Sequence, residues 1–340
     1  MENKKNIAYS ILELAFISSG TTVAETYKNS LDLAQKAEAM DYSRFWLAEH
    51  HNMISIASSA TSVLIGYIAG GTKTIKVGSG GIMLPNHSSL IVAEQFGTLG
   101  TLYPNRIDLG LGRAPGTDQI TAQAIRSDRM QAANNFPGEV AQIQEYFDAE
   151  NSHAPVRAIV AEGVNVPLYI LGSSTDSAHL AAKLGLPYVF ASHFATGQLF
   201  EALDIYRREF QPSVHLDKPY TIAGVNVIAA DTDAEAEENF TSLLRMFIGV
   251  LTGKREHLQP PMPMPDDLMM LQHNPALRDM LKYSFVGRKE AVAKEIARFV
   301  EQTGVDELMV VTNIHGHEDR VKSYRIVAEI MKDLNAAPVA

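Results

Sequence analysis

The 340-residue chain contains no cysteine. That absence excludes a disulfide framework, a thiolate nucleophile and any Cys-based metal site. Basic residues are scarce as well: 29 Lys and Arg stand against 39 Asp and Glu, a formal charge of −10, with no extended basic run. A nucleic-acid surface needs a concentrated cationic face, so the expected partner is a small molecule. No stretch approaches the ~18 uninterrupted apolar residues of a membrane-spanning helix. The opening Met1-Glu2-Asn3-Lys4-Lys5-Asn6 also lacks the apolar segment of a secretory signal. Together these absences point to a soluble, cytoplasmic enzyme.

What is present is a repeated order of strand, loop and helix in a chain that is 46% hydrophobic. Short apolar runs predict strands at residues 10–17, 44–48, 74–78, 106–111, 167–171, 188–191, 220–229 and 307–311. Helical spacing predicts helices at 23–40, 59–70, 90–103, 139–147, 175–184, 197–210, 234–251, 288–303 and 319–334. Thr22 is placed to cap the first helix, and Asp231-Thr232-Asp233 to cap the one beginning near 234. Eight strands alternating with helices fit an α/β fold of the (β/α)8 barrel type, a single domain over residues 1–340. An open dinucleotide-binding sheet would carry a glycine fingerprint after its first strand, where Ser18-Ser19-Gly20 stands instead. Two segments break the rhythm as insertions: an irregular stretch at 112–137 after strand four, and 253–283 after strand seven. The second contains Gln259-Pro260-Pro261-Met262-Pro263-Met264-Pro265, which cannot be helical, and suits a methionine-rich lid or a dimer segment.

Chemistry concentrates at the C-terminal ends of the strands, where a barrel mounts its site. The second strand delivers Glu49, His50 and His51 in succession. Side chains alternate along a strand, so His50 should face away from Glu49 and His51. Either His50 serves a site or it is a satisfied rim histidine; an imidazole near its ordinary pKa can donate or accept a proton near neutral pH. Gly78-Ser79-Gly80-Gly81 ends strand three, where glycines admit a flat ligand or simply bend the rim. Strand four runs into Gly110-Leu111-Gly112-Arg113-Ala114-Pro115-Gly116, in which Arg113 suits a phosphate or an inter-loop salt bridge. Strand five ends in Gly172-Ser173-Ser174-Thr175-Asp176-Ser177 before a helix, an anion site or a plain N-cap. His50, His51, His315 and His317 at two strand ends leave a metal-assisted hydrolase open as a rival reading. A non-catalytic flavin-binding protein is a third.

Several motifs resemble the bacterial luciferase-like monooxygenase family, and its single-chain flavin-dependent oxidoreductases in particular. They are Trp46-Leu47-Ala48-Glu49-His50-His51, the stretch from Val77 to His87, Ala93-Glu94-Gln95-Phe96, the stretch from Arg106 to Thr117, and the stretch from Leu171 to Thr175. The resemblance continues through Gly185-Leu186-Pro187, Ala191-Ser192-His193-Phe194 and Asp306-Glu307-Leu308-Met309, so it covers nearly the whole chain. It implies a barrel that binds reduced FMN at its C-terminal face and uses O2 to oxygenate a small, largely apolar substrate. A separate flavin reductase would supply the reduced cofactor, and a homodimer is the family habit. Within it, the active-site histidine falls on His50 and a non-proline cis peptide on Gly80-Gly81, against the flavin ring. Arg113, Ser173, Ser174 and Ser177 fall around the FMN phosphate, and Glu94 on an acidic position near the site. The same barrel family also uses the deazaflavin F420, which stands as the alternative cofactor. No metal site is implied. Luciferase itself carries a cysteine where this chain has Gly112 and an acid where it has Ser173, so light emission and a long-chain aldehyde substrate do not carry over.

Overall fold

Residues of β2 (Arg44–Leu47) divide between two environments. Phe45 and Leu47 join the large apolar layer between strands and helices, whereas Trp46 packs with Leu12, Tyr169, Ile222 and Met309 in a separate cluster on the barrel axis. The period of two thus sends odd residues outwards and even residues inwards, and the parity continues past the strand to His50. The computed structural model describes residues 6–336; residues 1–5, on which the expectation about a secretory signal falls, and 337–340 lie outside the described residues.

In chain order the elements are β1 (Ala8–Glu13), α1 (Val23–Ala39), β2, α2 (Thr61–Gly71), β3 (Lys76–Met83), α3 (Ser89–Leu102) and β4 (Ile107–Gly112), then α4 (Gln119–Ile125), α5 (Arg129–Asn134) and α6 (Phe136–Phe147). There follow β5 (Leu168–Gly172), α7 (Thr175–Leu184), β6 (Tyr188–Phe190), α8 (Leu199–Glu209), β7 (Thr221–Ala230), α9 (Asp233–Thr252), α10 (Asp266–Leu271), α11 (Pro275–Leu281), β8 (Ser284–Arg288), α12 (Lys289–Thr303), β9 (Glu307–Val311) and α13 (His317–Ala336). Strands β1 to β7 pair in parallel, each with the next; β9 joins β7 and closes the ring on β1, with Ala8 opposite Glu307. This is the (β/α)8 barrel. Thr22 caps α1 in a reciprocal box with Glu25, worth about 1 kcal/mol, and Thr232 caps α9.

Three features depart from the sequence expectation. The segment 112–137 is not irregular but holds α4 and α5, whose seven and six residues are too short for a hydrophobic period to show. Within 253–283 the proline run is extended, as expected, yet α10 and α11 follow it, the latter capped by Asn274. A ninth strand, β8, occupies the residues left between the insertion and the next helix, and takes Arg288, the expected first residue of that helix. Its cause is the length of β7, which has 10 residues. The lower half pairs with β9 from Ile222 to Asn226, and the upper half, which β9 is too short to reach, pairs with β8 from Asn226 to Ala230. Without β8 that upper half would be an open edge.

The N-terminal end of the barrel is closed by charge. Arg44 Nε donates to Glu307 Oε1 at 2.8 Å and its Nη1 to Asp108 Oδ2 at 2.6 Å and to the Tyr169 hydroxyl at 2.8 Å. Trp46 Nε1 donates to Asp108 at 3.0 Å, and the Tyr220 and Ser10 hydroxyls donate to Glu307. The apolar axial cluster lies above this plug, so whatever binds must bind at the other end. Among the described residues no helix is long and apolar enough to cross a membrane.

Candidate active site

A cavity of about 520 Å³ opens over the C-terminal ends of β1, β2, β6, β7 and β9, with α9 and parts of residues 254–280 around it. Its walls are mostly apolar, including Leu14, Phe16, Ile56, Phe194 and Leu258. His50, His193, Asn226 and Asn313 also line it. Three of these carry a buried polar atom without a hydrogen-bond partner: His193 Nδ1, Asn226 Oδ1 and Asn313 Oδ1. Folded chains satisfy nearly all such atoms, so a cluster of exceptions around one cavity marks a place kept for a ligand or water. None of the expected lid methionines, Met262, Met264, Met269 and Met270, lines the cavity, and the last two are exposed; Met53, Met246 and Met280 line it instead.

His50 stands on the cavity wall with its Nδ1 3.1 Å from the carbonyl oxygen of Gly116. A carbonyl only accepts, so Nδ1 carries the proton and Nε2 presents a lone pair. Burial pushes its pKa below the ordinary value, outweighing the Gly116 bond and the charge of Glu49. The imidazole is therefore neutral at pH 7, a proton acceptor at Nε2. His193 is driven further, down to about 3, by burial and then by the charge of His50.

Glu49 and His51 turn the other way, as alternation predicts. Glu49 is 1% exposed and accepts from His51 Nε2 at 2.8 Å, His87 Nε2 at 2.9 Å, Asn86 Nδ2 at 3.1 Å and the Met83 N–H at 2.9 Å. Burial raises its pKa, but the bonds from His51 and His87 outweigh it and hold the carboxyl at about 2. This carboxylate ties the end of β2 to the turn after β3, and thereby fixes the backbone that carries His50.

The expected phosphate residues come together at the ends of β4 and β5. Arg113 pairs with Asp176, in the first turn of α7, at 3.0 Å; both side chains are more than half exposed, so this pair adds at most about 1 kcal/mol. Ser173 is exposed, and Ser174, the N-cap residue of α7, makes no capping bond with its hydroxyl. Ser177 is engaged: its hydroxyl donates to the Ser174 carbonyl at 2.8 Å and lies 3.1 Å from the Tyr188 hydroxyl. A further cation joins this corner. Arg129, half-buried on α5, donates to the Arg113 carbonyl and to Asn86 Oδ1, and among the described residues it makes no ion pair.

The Gly80–Gly81 peptide is cis and sits in a register shift of β3 against β4. It lies within the strand, which runs on to Met83. A Cβ on Gly81 would meet the Gly110 carbonyl oxygen at 2.8 Å, backbone that cannot yield, whereas one on Gly80 would meet Leu12 Cδ1 at 2.6 Å, a side-chain tip that would have to shift. Glu94 is half-buried in the middle of α3, in the helix layer, and lines neither this cavity nor a smaller one beside α13.

The sequence model of a family described as luciferase-like monooxygenase matches residues 8–307 of this chain. The chain belongs to that family. It is similar to a luciferase-like monooxygenase of Escherichia coli (strain K12), 47% identical over 330 residues that cover 97% of this chain and 98% of the relative. It is also similar to the N-acetyl-S-alkylcysteine monooxygenase of Bacillus subtilis (strain 168), 34% identical over 340 residues covering 95% and 98%. Among solved structures, apo-MsnO8 superposes with a TM-score of 0.87 at 35% identity, covering 96% of this chain and 98% of that one. The fold alone is shared, at 15% identity, with the oxygenating constituent of 3,6-diketocamphane monooxygenase in complex with FMN (TM-score 0.72, covering 95% and 97%). It is likewise shared, at 15% identity, with an F420-dependent secondary alcohol dehydrogenase holding an F420-acetone adduct (TM-score 0.71, covering 96% and 99%).

In this luciferase-like oxidoreductase the remaining histidines disperse. His315 Nε2 lies 3.2 Å from the Ser19 hydroxyl and His317 Nε2 2.6 Å from Asp32 Oδ2, while His51 belongs to Glu49. Among the described residues no group of three or more His, Asp or Glu side chains is placed to hold a metal. His193 and His87 lay within the resembling motifs but were given no role, and Asn226, Asn313 and Arg129 were not picked out from sequence. Only His193 carried the signal that marks His50, an imidazole just past a barrel strand.

Proposed function

We propose that the chain is an FMN-dependent monooxygenase that receives reduced flavin from a separate reductase and uses O2 to oxygenate a small organic substrate in the 520 Å³ cavity. The observation that carries this reading is the position of His50, which lines the cavity while bonded to Gly116, three residues beyond Arg113. One imidazole thus connects an apolar reaction space to an anion-binding corner. The residues present fit FMN. Arg113 and Arg129, with the Ser173 and Ser174 hydroxyls at the N-terminus of α7, meet a dianionic phosphate. Gly80 and Gly81 offer a wall without side chains, and the unpartnered Asn226 Oδ1 and Asn313 Oδ1 can accept from a polar ring edge. Ser177 shapes the corner through the Ser174 carbonyl.

Reduced FMN, when bound, supplies the electrons that activate O2. The protein's part is to bind, to exclude water with apolar walls, and to take a proton at His50 Nε2 from a group in the cavity. Two relatives support the reaction class: one is an N-acetyl-S-alkylcysteine monooxygenase, and a monooxygenase of the same fold is known in complex with FMN. The proposal includes one barrel domain over residues 1–340, segment 253–283 as the cavity's cover, and a homodimer in the cytoplasm.

Fluorescence titration of the purified protein with FMN, riboflavin and F420 tests the cofactor. FMN should bind best, and Arg113→Ala should weaken FMN by about 10- to 100-fold, the range of one charge-assisted bond, while leaving riboflavin unchanged. Equal losses for both flavins would refute the phosphate assignment, and tighter binding of F420 would replace FMN.

A further inference from the structure

The cavity over β1, β2, β6, β7 and β9 has an unbalanced mouth. Its lining includes the cations Arg245, Lys254 and Arg255 against the acids Glu256 and Asp267, in a chain whose formal charge is −10. Among the described residues none of these three cations makes an ion pair with a carboxylate. Arg245, half-buried on α9, reaches only neutral acceptors: the Met262 sulfur at 3.9 Å and two oxygens, the Pro260 carbonyl at 3.3 Å and Gln259 Oε1 at 3.4 Å. Both oxygen contacts are long for a guanidinium, whose charge-assisted bonds run shorter. The contrast is with Arg44 and Arg320, the chain's buried arginines, which are bound to Asp108 and Glu307 and to Glu13. Arg255 is exposed on the loop after α9, yet its charge is felt at His50, where it disfavours the imidazolium. Arg255 and the imidazole line the same cavity.

Much of the rest of the cavity wall is apolar: Leu14, Phe16, Leu258 and Met280 contribute no charge. A neutral hydrocarbon would leave the guanidinium groups unused, and an amine would meet three like charges. A carboxylate set at the mouth keeps part of its hydration and gains two guanidinium partners, so its desolvation penalty stays small.

We propose, building on the monooxygenase reading above, that the substrate is an amphipathic carboxylate. Its anionic group is held at the mouth by Arg245 and Arg255, with Lys254 adding to the local field, and its apolar body runs along Leu14, Phe16 and Leu258 towards His50. The sequence-based expectation of a largely apolar substrate is thereby narrowed to an acid with an apolar arm.

Calorimetric titration of the full chain with hexanoate, hexan-1-ol and hexylamine, with and without FMN, tests this. Hexanoate should bind at least about tenfold tighter than hexan-1-ol, the factor expected of one charge-assisted contact, and hexylamine should bind least. The double variant Arg245→Gln/Arg255→Gln should lower hexanoate to the affinity of hexan-1-ol and leave hexan-1-ol unchanged. As a second readout on the unmodified chain, added salt should weaken hexanoate alone. Equal binding of acid and alcohol, preference for the amine, or no saturable hexanoate binding in either state overturns the inference. A protein that prefers hexanoate but fails to bind FMN sinks the cofactor reading and leaves the carboxylate preference standing.

Discussion

At the N-terminal end of the barrel Arg44 is sealed between Asp108 and Glu307, with Tyr169, Tyr220 and Trp46 completing the shell; at the C-terminal end His193, Asn226 and Asn313 keep buried polar atoms without partners. The lower network is nearly complete, Asp108 Oδ1 being its one unpartnered oxygen. Although burial pulls the Arg44 pKa down, Glu307 and Asp108 hold it above the ordinary value, and burial pushes Tyr169 and Tyr220 up. Neither the guanidinium nor these two phenols change protonation near neutral pH. The upper end shows the reverse, with neutral imidazoles, spare acceptors and guanidinium groups lacking acids. The difference teaches where each end's polar residues act: the lower set completes the fold, and the upper set waits for a ligand.

The sharpest way to separate the two ends is His50→Ala. Turnover should fall by about 10²- to 10⁴-fold, as for loss of a general base, with the urea midpoint scarcely moved. Unchanged turnover would remove His50 from the chemistry. Arg44→Met should act the opposite way, lowering stability by about 3–5 kcal/mol because two buried carboxylates lose their cation, as read from urea unfolding. Converting Asp108 and Glu307 to leucine as well should recover much of that loss, and a small effect of Arg44→Met alone would break the contrast between the ends.

A smaller effect follows from His193. Its folded-state pKa is about 3, below the reference value near 6.5. As pH falls through that window the unfolded chain takes up a proton that the folded chain refuses, so stability declines with acidity. His193→Leu should remove this term and reduce the drop in unfolding free energy between pH 7 and pH 4 by up to about 3 kcal/mol. Parallel pH profiles for the two proteins would show that His193 is not held neutral. The smallest change is expected of Arg113→Ala, whose exposed pair with Asp176 should be worth less than about 1 kcal/mol to stability. A larger loss in thermal unfolding would make Arg113 a structural residue like Arg44.

Sequence alone placed the barrel, because its strands and helices alternate with periods that differ plainly. It separated His50 from Glu49 and His51 for the same reason, since parity along a strand decides which neighbours share a face, and the structure shows that the face of Trp46 and His50 is the inner one. The Glu49 network was legible only in part: His51 follows from parity, whereas His87 arrives through the turn after β3, at a separation of 38 residues that no local pattern spans. Asn226 and Asn313 resemble ordinary polar residues at strand ends until folding strips them of partners. Strand β8 escaped notice because Ser284-Phe285-Val286-Gly287-Arg288 has only two adjacent apolar residues, and its place is to cover the upper half of β7. Arg129 lay in a stretch whose helices are shorter than two turns.

The double length of β7 has a consequence for how such a protein can change. Both anchors of segment 253–283, the helix α9 before it and the strand β8 after it, rest on that one strand, and the barrel seam to β9 is completed below them. The canopy over the mouth can therefore be shortened, lengthened or grafted from another chain while the ring of strands keeps its closure, so selectivity can drift without a new scaffold.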